Sequence, residues 1–557
     1  MQVNHVALRR LLDSTIQYQI PLFQRPYSWE KKNWQTLWDD LISIYNDKVE
    51  DSYFLGSIVT QSLPGIPGSI SPFLVIDGQQ RLTTLTILLA LLRNRLKKTD
   101  PKEADKIQAS YLINQFESND NFYKVLPTQS DRQIYQNLIK GDEPIKKEGK
   151  IYESYHFFDE KIKKAKDSID CIKLKNIILE KLMIVNITTE ERDNPYLIFE
   201  SLNNKGQELT QVDLIRNYIF MKLDADERQK IYDEKWLPFI KNFQRSMGEE
   251  EYTSELTNAF YFYARKDGQV VNQKEIYKII KNLFENSTNG VKDQLNQLIQ
   301  FTEYYQRLNF PHKEPNIDLR ERFERLRKLE FTTCHIFLLN VYHQYEQESI
   351  TIEQFLEILT CLESYFVRRL LVGIPTNILG TVFTSLYSEV VRRDKNNLVN
   401  GLKQVLKSFD DKKSWPDDRE LLKGMLVKSI YTSGTKERTK LLLWSLESYL
   451  NRETVDLNTV TIEHIMPQSL TPEWKNMLGD NASSVHKKWL HTLGNLTLTG
   501  YNSEMGNKPF SYKLNYFKNS NLSLNRWLAR VDSWNEEEIK KRAEYLAEIA
   551  IKVWPRE

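Results

Sequence analysis

The stretch that most constrains this chain is a polar pentapeptide wedged between two apolar segments of different period. Residues 73–76, Phe-Leu-Val-Ile, run straight into Asp77-Gly78-Gln79-Gln80-Arg81, after which Leu82, Leu85, Leu88, Leu89, Leu92 and Leu96 recur at helical spacing. A strand must therefore pass directly into a helix, with the polar residues at the junction. A helix N-terminus of that kind meets an anion with unpaired backbone N–H groups and the positive end of the dipole. Gly78 permits close backbone approach, Gln79 and Gln80 offer amide donors, Arg81 offers bidentate donors, and Asp77 can hold a ribose hydroxyl or a metal ion. Taken alone, Asp-Gly is equally a common turn and Arg81 a solvated helix end.

The surroundings of this junction supply further polar loops. Residues 16–27 have the alternation and the two prolines, Pro21 and Pro26, of a short strand or extended segment. A helix follows, with Ser28 as its expected cap and a core stripe of Trp34, Leu37, Trp38, Leu41, Ile42 and Tyr45. Gln24 and Arg25 lie beside Phe23, Tyr27 and Trp29, aromatic rings able to stack on a base or a guanidinium plane. Residues 53–60 and 182–187 read as strands. Asn203, Lys205 and Gly206 add another amide, cation and tight turn, and Thr210 with Asp213 forms a capping box that opens a helix carrying Arg216 and Asn217. No G-x-x-x-x-G-K-[ST] sequence occurs, so any nucleotide chemistry does not use a P-loop.

From residue 224 to 450 the pattern is helical almost throughout, and short β-like runs return at 455–465 and 495–499. We expect an α+β chain, predominantly helical, in three domains: 1–223, 224–450 and 451–557. At 557 residues, 40% hydrophobic and 27% charged, the chain is long enough for several cores and is not a disordered polymer. No apolar run approaches the roughly 20 residues of a membrane span, and the start has no apolar signal core. The 3 cysteines lie far apart without a C-x-x-C pair, so neither a disulfide framework nor a cysteine zinc site is indicated. A cytoplasmic protein without a membrane partner is expected. The net charge of +2 argues against general polyanion binding, but residues 481–530 carry +6 on their own.

Three segments, Gln24-Arg25-Pro26-Tyr27-Ser28-Trp29, Asp77-Gly78-Gln79-Gln80-Arg81-Leu82-Thr83 and residues 199–217, together resemble the N-terminal domain of GmrSD-type restriction proteins, itself similar to the ParB and sulfiredoxin nucleotide-binding fold. Val367-Arg368-Arg369-Leu370-Leu371-Val372-Gly373-Ile374-Pro375-Thr376-Asn377 also resembles a segment typical of these proteins. The resemblance implies a nucleoside triphosphate bound through Gln24, Arg25, Asp77, Gly78, Gln79, Gln80, Arg81, Asn203 and Lys205. It further implies that binding or hydrolysis controls a C-terminal nuclease acting on modified foreign DNA.

Near the C-terminus, Thr461-Ile462-Glu463-His464-Ile465-Met466-Pro467-Gln468, Leu493-Gly494-Asn495-Leu496-Thr497-Leu498 and Asn502-Ser503-Glu504-Met505-Gly506-Asn507-Lys508 resemble the HNH, or ββα-metal, nuclease pattern. That resemblance implies His464 as general base, Asn495 as the residue that orients it or shapes the loop, and Glu463 with Asn502 as oxygen ligands of Mg²⁺ or Mn²⁺. Asn507, Lys508 and Lys513 would meet DNA phosphates, with Asn502 and Asn507 alternatives for the metal. Adjacent residues on a regular strand point to opposite faces, so Glu463 and His464 face one phosphate only if the strand ends or bulges there. His486 and His491, beside Trp489 and Leu490, read as packing residues, and so do His335 and His343. The expectation is a nucleotide-regulated, metal-dependent endonuclease restricting modified phage DNA. The alternatives are a ParB-like nucleotide-dependent DNA-binding regulator without nuclease activity, and a toxin nuclease acting on host nucleic acid. Homo-oligomerisation stays open.

Overall fold

A computed structural model describes the chain apart from residues 1, 23, 48–51, 65–69, 142–147, 166–167, 190–209, 245–248, 452–455 and 557. The fold is α+β and dominated by helices, as expected. It divides into two compact units, one of residues 1–253 and 280–292, the other of residues 254–279 and 293–557.

The first unit is organised by a mixed six-stranded sheet. Its strands are β1 (Gln2–Ala7), β2 (Ile16–Gln19), β3 (Tyr53–Ser62), β4 (Ser71–Asp77), β5 (Val125–Leu126) and β6 (Leu182–Thr189), in the order β1-β6-β3-β4-β2-β5. The period-2 alternation of strands splits the apolar residues between two faces. Ile58 and Val75 enter the main core with the helices α1 (Lys31–Tyr45), α2 (Gln79–Leu96) and α3 (Lys150–Ala165), whereas Val59 and Ile76 pack against Leu214 and Met221 of α4 (Gln211–Lys222). That second layer carries Asp213, itself part of the helix's capping box, and Arg216 one turn further on. Thr210 and Asp213 do form the expected box, the Asp213 N–H donating to Thr210 Oγ1 at 3.1 Å. Helix α1, by contrast, is capped by Glu30 with Asn33, not by Ser28. The unexpected strand β1 is an exposed edge, and QVNHVA has no alternation for burial to impose.

In the second unit, helices follow one another to residue 450, among them α5 (Ile352–Val372) and α6 (Lys436–Leu450). Helix α5 ends at Gly373, whose φ of 89° suits glycine. Arg368 and Arg369 are buried in it and donate to backbone carbonyls: Arg368 to Trp554 at 2.6 Å and Pro416 at 3.1 Å, Arg369 to Ser414 and Pro375 at 2.9 Å each. The family-like Val367–Asn377 stretch is thus a packing hub that holds the C-terminal tail. Beyond α6 come β7 (Thr461–His464), α7 (Ala482–Trp489), β8 (Leu496–Thr499), α8 (Asn502–Met505), α9 (Phe510–Lys518) and α10 (Glu536–Val553). Strands β7 and β8 pair antiparallel with Glu463 opposite Thr497 and His464 opposite Leu496. A ββα arrangement results, over a core that includes Ile465, Met466, Trp474, Phe510 and Trp534.

Candidate active site and anion cradle

In the first unit the strand-to-helix junction forms as the sequence requires. Gly78 stands at the N-cap of α2 with φ 90°, and no side chain caps the helix. A Cβ there would lie 2.8 Å from Ile58 Cγ1 and 3.0 Å from the Ser57 carbonyl, so glycine serves both the left-handed turn and the close approach of β3. A β-bulge between Val59 and Thr60 adjoins the register position of Asp77. Arg81 reaches across to β3, where its Nη2 donates to Ser57 O at 2.7 Å and lies 3.5 Å from Asp77 Oδ2. Gly56 makes room for it, since a Cβ at that position would overlap the guanidinium. Arg25 belongs to the same electrostatic cluster: burial lowers its pKa, and Asp213, Arg216 and Asp77 act on it. Arg216 itself donates to Asp213 at 2.7 Å. Arg25, Asp77, Arg81 and Arg216 thus gather around one turn.

The amides expected to bind nucleotide behave differently. Gln24 is buried, and its Nε2 donates to Val75 O at 2.8 Å and Ile76 O at 2.9 Å. Gln80 accepts from the Ser28 N–H at 2.9 Å and donates to Pro26 O at 3.3 Å, while Gln79 donates to Arg25 O at 3.4 Å. All three therefore fasten the 24–28 segment to β4 and α2; as placed, the donors of Gln24 and Gln80 are spent on backbone carbonyls. Tyr27 is a core residue held by Thr84 at 2.7 Å and Trp34 at 2.8 Å, so its ring packs inward and not on a base. Phe23, Asn203 and Lys205 lie outside the described residues.

In the second unit, Glu463 and His464 leave β7 on opposite faces, as the pleat dictates. Glu463 turns to α9, where Lys513 Nζ donates to its Oε1 at 2.5 Å and to the His464 carbonyl at 2.9 Å. Both side chains are buried. Burial raises the Glu463 carboxyl and lowers the Lys513 ammonium, and their mutual attraction works against both shifts. Lys513, expected at a DNA phosphate, is 0% exposed, and that expectation does not fit its place: an ammonium spent on a buried carboxylate cannot also meet solvent-borne phosphate. Asn507 and Lys508 do lie exposed, just beyond α8.

His464 turns the other way. Its ring is 6% exposed, and burial, reinforced by His491, Lys513 and His486, lowers its pKa to about 3, so the imidazole is neutral at any physiological pH. Its Nε2 lies 3.1 Å from His491 Nδ1, and the Tyr431 ring meets it edge-on at 4.8 Å. Asn495 does not hydrogen-bond to this ring. Fully buried, it accepts from the Met466 N–H at 2.8 Å and Trp534 Nε1 at 3.0 Å, and donates to Met466 O and Leu490 O at 3.0 Å each. Of the two roles expected for it, the geometry matches the shaping of the loop. Its neighbours serve the same end: Arg542 Nη1 donates to the carbonyls of Leu493, Gly494 and Leu496, and a Cβ on Gly494 would lie 2.5 Å from Ile539 O. Arg542, Trp534 and Tyr431 were not singled out in the sequence, and His491, read there as a packing residue, instead meets His464 through a ring nitrogen.

The expected metal ligands are not brought together as a pair. Asn502 donates its Nδ2 to Ile462 O at 2.9 Å, which leaves its amide oxygen as a hard acceptor of the kind Mg²⁺ and Mn²⁺ take. Glu463, by contrast, is buried and spent on Lys513, on the face of β7 opposite His464, so as placed its carboxylate does not share a phosphate with that imidazole. Among the described residues no group of three or more His, Cys, Asp or Glu side chains is placed to hold a metal. A cavity of about 1310 Å³ elsewhere in this unit contains none of these residues; in it Arg325 pairs with Glu363 and Arg327 with Glu324.

A neutral imidazole at the end of a ββα strand pair, in a chain that also carries a separate α/β unit, marks a nuclease with an accessory domain. The chain matches the family models of the GmrSD restriction endonuclease N-terminal domain over residues 8–220 and of the GmrSD restriction endonuclease C-terminal domain over residues 415–549, together more than half its length. It belongs to the GmrSD restriction endonuclease family, whose substrate is DNA. No curated protein matches the chain. Among the described residues no helix is long and apolar enough to cross a membrane, and Cys171, Cys334 and Cys361 are free thiols.

Proposed function

We propose that this chain is a nucleotide-regulated, metal-dependent DNA endonuclease that acts in the cytoplasm to restrict modified foreign DNA, phage DNA above all. Residues 1–223 bind a nucleoside triphosphate, residues 224–450 link, and residues 451–557 cut. The observation that carries the reading is the place of the His464 imidazole at the end of β7 in a ββα arrangement, its Nε2 3.1 Å from His491 Nδ1. A neutral nitrogen takes a proton from water as the water oxygen attacks phosphorus, and the departing sugar oxygen is protonated from solvent. A divalent cation, Mg²⁺ or Mn²⁺, would supply neutralisation of the phosphate and of the leaving oxygen; the Asn502 amide oxygen would be one ligand, and Glu463 would join it only once released from Lys513. Exposed Asn507 and Lys508, with Lys487, Lys518, Arg526 and Arg530, offer donors to the backbone of DNA. In the first unit, the uncapped start of α2 with Arg25, Asp77, Gly78 and Arg81 supports triphosphate binding, to which Asn203 and Lys205 contribute.

One digestion series tests this reading. Unmodified, methylated, glucosylated-hydroxymethylated and phosphorothioated DNA are incubated with Mg²⁺ or Mn²⁺ and each triphosphate. The wild-type protein nicks at least one of them. His464→Ala lowers nicking by about 10²- to 10⁴-fold while triphosphate turnover persists; nicking at the wild-type rate by the purified variant refutes the assignment.

A further inference from the structure

The histidine beside His464 is held too deliberately to be packing. His491 follows α7, and its backbone is fixed from both sides: the Ile430 N–H donates to its carbonyl at 2.9 Å, Ser429 and Thr492 form an isolated antiparallel bridge, and the preceding Leu490 carbonyl accepts from buried Asn495 at 3.0 Å. The same bridge delivers Tyr431, whose ring lies 5.6 Å from His491 in a near-parallel stack and 4.8 Å from His464 edge-on. The two imidazoles meet at 79°, with a single nitrogen of each in contact, His464 Nε2 to His491 Nδ1 at 3.1 Å.

We infer that His491 is the positioning residue for the general base: its Nδ1 accepts the Nε2–H of His464 and so fixes the tautomer in which His464 Nδ1 carries the free lone pair. This rests on the reading of His464 as the base. A neutral imidazole has one donor and one acceptor nitrogen, so two of them sharing a contact can be arranged in two ways. In the reverse arrangement His491 Nδ1–H donates to His464 Nε2. The lone pair of Nε2 is then spent and Nδ1 holds the hydrogen, leaving His464 with nothing to offer water. The forward arrangement alone leaves a base. After proton transfer from water to Nδ1, the imidazolium still donates through Nε2 to the same acceptor, so the contact survives the step unchanged. Asn495 then acts on the base at one remove, through the backbone that carries His491.

The test uses the full chain. On whichever DNA the wild-type protein nicks with Mg²⁺, His491→Ala is expected to lower kcat about 100-fold with KM for DNA unchanged. His491→Asn, whose amide oxygen can take the place of Nδ1, is expected to recover most of the loss. In parallel, ¹⁵N-histidine spectra of each protein, with the His464 signals assigned from His464→Gln, report the tautomer. The Nε2–H form is expected in wild type and His491→Asn, and a mixture in His491→Ala. A wild-type kcat for His491→Ala, equal loss in Ala and Asn variants, or an Nδ1–H tautomer in the wild type overturns the inference. If His464→Ala abolishes nicking while His491→Ala does not, the positioning role fails and the nuclease reading stands. If His464→Ala nicks normally, both fall.

Discussion

Around Asp77 the charged groups keep contact with water, the side chains of Arg81 and Asp77 being 25% and 30% exposed; around Glu463 they do not, Lys513 and Glu463 being 0% and 4% exposed. The two clusters are otherwise built alike. In each, a strand end delivers the charged residue, and buried amides (Gln24 and Gln80 in one, Asn495 in the other) staple the loop that surrounds it. The difference in solvation separates their uses. Guanidinium groups at a half-open turn can exchange a polyanion for water at little desolvation cost, which suits binding. Groups withdrawn from water must be paired, as Lys513 and Glu463 are, or neutral, as the buried His464 imidazole is.

The contrast is most severely tested by Lys513→Met. It strands a buried carboxylate and should cost about 3–5 kcal/mol in the second unit, measured by urea denaturation, while Glu463→Gln added to it restores most of that loss without restoring nicking. A neutral effect of Lys513→Met would show that Glu463 is not isolated from water. Next in size, Asn495→Ala leaves two donors and two acceptors unpaired in the core and should cost about 3 kcal/mol. Gln24→Ala in the first unit frees only two carbonyls and should cost about 2 kcal/mol by the same measurement. Gly78→Ala forces an L side chain to φ 90° against β3; a loss of about 2 kcal/mol in the first unit is expected, together with weaker triphosphate binding by calorimetry and unchanged melting of the second unit.

The smallest effect is a dependence on acid. Burial lowers His464 to about 3 and His335 to about 4, below the ordinary value of ~6.5. Between those values the unfolded chain binds protons that the folded chain refuses, so stability is full above ~6.5 and falls as pH drops toward the folded values. At about pH 5.5 each histidine should account for about 1 kcal/mol. Thermal melts of the second unit against pH should flatten in His335→Phe; an unchanged slope would mean that the ring takes up a proton while buried.

Much of this was legible beforehand where a local rule governs. The strand-to-helix switch at Gly78, the Thr210–Asp213 capping box, the strands near 53–60, 73–76 and 182–187, and the β-like runs around His464 and Asn495 all appear. Strand β1 did not announce itself, because an exposed edge has no buried face to pattern it. Polar residue types were read as ligands wherever they clustered, and that is where the reading parted from the structure: Gln24, Gln80 and Asn495 are clamps, and Lys513 is a buried counter-ion.

The amino-acid order alone determined the class of fold, the two polar clusters and the chemical types available in each, because periodicity, turn residues and capping act over a few positions. Which face of β7 each of Glu463 and His464 would take followed from the pleat. What each side chain would then meet depended on residues 27 to 50 positions away, His491 across a backbone bridge and Lys513 on a later helix. Only packing brings such partners to 3.1 and 2.5 Å, and with them comes the withdrawal of water that decides whether a charged or a neutral form persists.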